Sequence, residues 1–213
     1  MKTDQLLDWL AEDARPIDPR RSHRRWQVAA AAGLLAAIAL AAHRWGWRPL
    51  DEESWSSPMW WMRWLFCAWV VVAAGVMADR LGRPGRSVSR GWAWLLLPWA
   101  AMAAVGLASW WSADPQDRWV LLMGDTALQC PGNIASVALP AFLATAWCMK
   151  RMAPTRPAWA GAAAGLMAGA TGAWGYTFHC PELTAPFIAV WYPLGMAIPA
   201  VLGAVLGRFS YRW

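Results

Sequence analysis

Six long apolar blocks, separated by arginine, proline, aspartate and glycine, govern what this chain can fold into. A bilayer core requires about 20 apolar residues for one helical crossing. The blocks run from Trp26 to Ala42, Met59 to Ala78, Trp92 to Trp111, Ile134 to Met149, Ala158 to Phe178 and Phe187 to Leu206. They are rich in Ala, Leu, Gly and Trp and lack the sustained period-two alternation of barrel strands. The predicted fold is all-α, a polytopic membrane protein with six transmembrane helices. Composition agrees, because 15% charged residues is too few to cover a soluble domain of 213 residues. Residues 1–25 form a separate N-terminal segment, and residues 26–213 form the transmembrane domain. Trp119 to Met123 is apolar but too short to cross, and reads as an interfacial piece. No small-residue cleavage pattern follows the first block, so that block is expected to stay in place as a span.

Lysine and arginine set the orientation. Fifteen of them fall in the N-terminal segment, the loops after the second and fourth blocks, and the C-terminus. The opposite side holds Arg44, Arg48 and Arg118. Both termini are therefore expected in the cytoplasm of a bacterial inner membrane. The net charge of +6 is then a topology signal, and no direct contact with nucleic acid is implied. The 20 tryptophans cluster at block ends, where an indole anchors at the headgroup level. No cofactor is implied.

The blocks hold almost no ionisable side chains, which ion-coupled transport requires near the midplane. A small transporter or channel stays as the alternative reading. There is no G-x-S-x-G, H-E-x-x-H or C-x-x-C, so the chain does not read as an enzyme. Arg63, near the start of the second block, is expected to snorkel to the interface without a function. Gly161, Gly165 and Gly169 in the fifth block and Gly203 and Gly207 in the sixth form small-residue rows. Pro193 and Pro199 are expected to kink the sixth. Those rows could serve dimerisation or packing within the bundle, and packing is the preferred reading; they would also permit the two helices to slide.

Two features carry chemistry. Cys67 and Cys148 lie within blocks and read as small apolar residues. Cys130 and Cys180 lie on the outer side, in Gln129-Cys130-Pro131 and His179-Cys180-Pro181. The fourth and fifth spans are antiparallel neighbours across a short loop, so topology brings the two sulfurs to one region. Three readings stay open: a structural disulfide, a sensing pair, or a soft-metal site formed by Cys130, His179 and Cys180. The second feature is the N-terminal segment, where Thr3 to Ala14 reads as a short helix closed by Pro16. Its apolar face carries Leu6, Leu7 and Leu10. Asp4, Asp8, Glu12 and Asp13 make it a poor match for an anionic lipid surface. A protein partner with a groove suits it better.

The opening Met1-Lys2-Thr3-Asp4-Gln5-Leu6-Leu7, with Arg15-Pro16 after it, resembles the start of the NrsF-like negative regulators of sigma factors. So do Ala153-Pro154-Thr155-Arg156-Pro157 and, most specifically, His179-Cys180-Pro181-Glu182 followed by Phe187-Ile188-Ala189-Val190-Trp191-Tyr192 and Leu194-Gly195. The resemblance covers the whole chain and departs at Pro131-Gly132-Asn133, after the first outer cysteine. It implies an integral-membrane anti-sigma factor. Such a protein holds an extracytoplasmic-function sigma factor at the bilayer and releases it under oxidative or heavy-metal stress sensed through Cys130 and Cys180. The charge asymmetry gives a direct check on the layout. Reporter fusions at Arg86 and Thr155 should read cytoplasmic, and fusions at Asp117 and Glu182 periplasmic. A periplasmic reading at Arg86 would overturn the orientation.

Overall fold

The structure, a computed structural model, describes residue 5 and residues 19–46 and 56–211. Leu6, Leu7 and Leu10 lie outside the described residues. Those that are described carry eight helices and no strand: α1 (Pro19–Trp45), α2 (Pro58–Leu81), α3 (Ser89–Ser112), α4 (Arg118–Met123), α5 (Cys130–Val137), α6 (Leu139–Lys150), α7 (Pro157–Tyr176) and α8 (Ala185–Ser210). Six of them, α1, α2 and α5 to α8, open with proline in the first two positions. Proline fits there because its missing N–H would have no partner in the first turn. α1 closes on Gly46, whose φ of 80° lets its N–H donate back to the Ala42 carbonyl at 2.9 Å.

Four stretches are each long and apolar enough to cross a membrane: His23–Trp45, Pro58–Leu81, Gly91–Ser112 and Ala185–Ser210. The fourth predicted span differs from expectation. It begins earlier, at Cys130, and breaks between α5 and α6 with a bend of 51°. Pro140 supplies the cause, since it cannot donate to the Ser136 carbonyl one turn back and its ring crowds that position. Taken as one bent span, the pair makes a fifth crossing.

α7 matches the fifth predicted block but is too rich in alanine and glycine to qualify by composition. It does not need to, because fourteen of its 20 residues are buried. It touches α8, α2, α6, α1 and α5, so its surroundings are protein. Large apolar side chains such as Leu65, Val72, Leu107, Leu143 and Val201 point outward on the helices around it, as a lipid solvent favours. An apolar groove of about 850 Å³ runs between α2 and α3 on the same outward surface.

The tightest contact is between the backbones of α7 and α8. A Cβ built on Gly161 would fall on the Gly203 carbonyl, and one on Gly203 would fall on the Gly161 carbonyl. The same holds for Gly165 against Pro199 and for Gly207 against Pro157. At this separation, backbone dispersion and weak C–H···O contacts hold the pair, and lipid cannot replace them. The glycine rows therefore serve packing within the bundle, as expected from their spacing.

Overpacking a close contact costs about 1–3 kcal/mol. Gly165→Ala should thus lower the thermal midpoint of the detergent-solubilised protein. Gly132→Ala, where a Cβ meets nothing within 4 Å, should leave it unchanged or raise it slightly. Equal midpoints for the two variants would refute the seam.

Candidate functional site

One end of the bundle gathers the two cysteines, and a buried arginine organises it. Arg63 sits in the second turn of α2 and is 1% exposed, contrary to the expected snorkelling. Burying a guanidinium is expensive unless its donors are satisfied. Here Nη1 donates to the Cys180 carbonyl at 3.1 Å and the Glu182 carbonyl at 2.7 Å. Nη2 donates to the Thr177 carbonyl at 2.9 Å, and Thr177 is the C-terminal cap of α7. The cation thus stands at the negative end of a helix dipole, among carbonyls that would otherwise be orphaned. The Tyr192 ring lies 6.0 Å from the guanidinium carbon.

The turn that follows α7 is therefore fixed from several sides. Its own N–H groups at His179 and Cys180 both donate to the Tyr176 carbonyl. The Glu182 carboxylate accepts from the Asp125 N–H at 2.9 Å and the Thr126 hydroxyl at 3.1 Å. Gly124 leaves room for that carboxylate, and its φ of 48° suits glycine. Thr184 donates to the Leu121 carbonyl and the Trp191 indole to the Leu122 carbonyl, each at 2.8 Å. These bonds seat α4 and the segment after it on the thiol turn, giving the expected interfacial piece a definite anchor.

Cys130 is the first residue of α5 and Cys180 lies in the turn, and both are buried free thiols. The two thiols lie close enough to influence each other. Cys130 comes first among the causes that hold Cys180 below its ordinary value of 9.0, at about 7. Arg63 and the Glu182 N–H favour the thiolate further, while burial opposes it. Asn133, one turn beyond Cys130, donates to the Tyr176 hydroxyl at 3.1 Å, tying α5 to α7 beside the sulfurs.

The topological argument thus placed Cys130 and Cys180 correctly. His179 behaves differently: its ring stacks on Trp45 at 5.2 Å. Among the described residues no group of three or more His, Cys, Asp or Glu side chains could hold a metal, so the expected soft-metal set of Cys130, His179 and Cys180 is not assembled. Cys67 is buried in the core, and Cys148 lies toward the other end, 3.8 Å from the Arg25 carbonyl. Sequence reasoning gave Arg63 no function, although an ionisable residue inside an apolar block is itself a signal.

The family described as "Negative regulator of sigma F", NrsF, matches residues 10–213. The chain is similar to a protein of Azospira oryzae called "Probable anti-sigma-F factor NrsF", at 39% identity over 219 residues and the full length of both chains. It is similar also to "Anti-sigma-F factor NrsF" of Caulobacter vibrioides, at 36% identity over 217 residues and again full length. No solved structure matches.

The Cys180 thiol gives a pH test of this geometry. In a Cys67→Ala/Cys148→Ala background, labelling of Cys180 by a small maleimide tracks its thiolate fraction. The rate should rise through about pH 7 and level off above it. Adding Cys130→Ala removes the largest of those influences and should move the midpoint upward. A midpoint near 9 with or without Cys130 would contradict the arrangement.

Proposed function

The chain belongs to the NrsF family of negative regulators of sigma F, and we propose that it is an inner-membrane anti-sigma factor that senses stress through Cys130 and Cys180. The family is regulatory and not enzymatic. The carrying observation is full-length similarity to proteins named as anti-sigma-F factors. The partner in this proposal is a sigma factor of the extracytoplasmic-function class, held at the membrane away from RNA polymerase. The N-terminal segment binds it through Leu6, Leu7 and Leu10. The bundle crosses the membrane six times, α7 being the sixth crossing beside the four apolar stretches and the bent pair. Both termini are then cytoplasmic, and the thiol end faces the periplasm.

The thiol pair is suited to oxidation. The periplasm favours disulfides, the two thiols lie near each other, and Cys180 is the more acidic of the two. A hydroperoxide takes two electrons and two protons from the pair. One S–S bond forms, and the peroxide leaves as alcohol and water. The sulfurs close to about 2.05 Å, and the turn held by Arg63 must move to allow it. Sensing requires that the two forms of the bundle differ in affinity for the partner.

One co-purification series with the sigma factor tests this reading. Leu6→Asp/Leu10→Asp should abolish capture while the protein stays at its normal level in the membrane, since each buried leucine contributes roughly 1.5–3 kcal/mol to an interface. Cys130→Ser and Cys180→Ser should each keep capture and lose peroxide-dependent release. Cys67→Ser and Cys148→Ser should behave as wild type. An intact response in both outer-cysteine variants would eliminate sensing. A fall in the level of folded protein in those variants would mark a structural disulfide instead.

A further inference from the structure

The thiol turn and the N-terminal segment are connected by one continuous helix. α1 runs without a break from Pro19 to Trp45, 27 residues, or about 40 Å. Its last residue is half-buried against the thiol turn. The Trp45 ring stacks on His179, with centroids 5.2 Å apart and planes at 28°. It also meets the Tyr176 ring edge-on at 5.6 Å. Tyr176 and His179 are themselves 5.9 Å apart. His179 precedes Cys180 in the chain, and both residues donate to the same Tyr176 carbonyl. The three rings are thus keyed to the backbone that carries the sulfur.

Other routes out of this turn are rigid. α7 and α8 touch backbone to backbone through Gly161, Gly165, Gly203 and Gly207. α2 holds the turn through Arg63 and leads into the loop before α3. α1 meets the bundle at narrower points, Gly33 against Ala141 and Gly175 against Ala37. Trp45 also walls a cleft of about 440 Å³ together with Thr126, Gln129 and Asn133. That space lies open to the indole once the stack on His179 parts.

We propose that Trp45 is a positioning residue that couples the Cys130–Cys180 pair to the N-terminal segment. With both thiols reduced, the stack on His179 holds the outer end of α1 in place and the N-terminal segment competent to bind. When hydrogen peroxide oxidises the pair, one S–S bond forms and two waters leave. Closure of the sulfurs shifts the turn, His179 moves with Cys180, and the end of α1 is released. This inference rests on the reading of the protein as a thiol-sensing anti-sigma factor.

The test uses full-length protein in membranes, with the sigma factor bound, before and after hydrogen peroxide. Two quantities are read together: the sigma factor retained, and the thiol state of Cys130 and Cys180 from a mass-tag shift. Trp45→Ala should oxidise at the wild-type rate. It should retain several-fold less sigma factor before peroxide, and peroxide should change that little further. Trp45→Phe keeps a ring for stacking and should restore most of the response. Trp111→Ala removes a 70% exposed indole from the same end and should behave as wild type, which separates coupling from membrane anchoring. His179→Ala parts the same stack from the other side, and it carries the test if Trp45→Ala fails to accumulate. Normal retention and normal release in Trp45→Ala or His179→Ala, with the pair oxidised, would overturn the coupling while leaving the sensing role standing. A wild-type protein that oxidises fully and keeps its sigma factor would overturn the sensing role and the coupling with it.

Discussion

A guanidinium buried in an apolar bundle must find acceptors, and around Arg63 no acidic side chain provides them. The carbonyls of Thr177, Cys180 and Glu182 do so instead. Backbone oxygens cannot move independently of their chain, so bonding the two terminal nitrogens fixes the path of the whole turn. That path brings Cys180 near Cys130 and aims the Glu182 carboxylate at Asp125 and Thr126. It also sets His179 where Trp45 can stack on it. Removing the cation would leave three acceptors short of donors, each at a cost of about 1–3 kcal/mol. Relief from burying the charge would offset part of that.

The glycine seam between α7 and α8 does complementary work. It makes a rigid post on which the turn is mounted, because backbones in contact have no side-chain slack to absorb a shift. On the proposed sensing role, strain from closing the sulfurs would pass to contacts with more freedom, and the stack of Trp45 on His179 is one.

The helical character of the chain was legible because hydrophobic blocks of this length admit few other folds. The meeting of Cys130 and Cys180 was legible from loop length and antiparallel order alone. The break at Ala138 was less so, because Pro140 lies inside a block that is apolar on both sides. Arg63 was misread for a related reason. Snorkelling and burial look identical in a sequence, and only the partner surface tells them apart. The rows of glycine were legible as packing surfaces, but which backbone group each glycine meets is not encoded in spacing along one chain. The metal reading of His179 failed because adjacency to Cys180 does not fix where an imidazole points, and here an indole claims its face.

The composition of α7 bears on how the protein is made. A helix of alanine and glycine gains little from lipid, since its small side chains remove little apolar surface from water. On the six-span reading, α7 reaches the translocon before the helix that covers it has been synthesised. Its packing is completed only when α8 arrives and the two backbones close on each other. Insertion of the fifth and sixth crossings is then coupled, and a ribosome stalled before Ala185 would leave α7 with only the neighbours made before it.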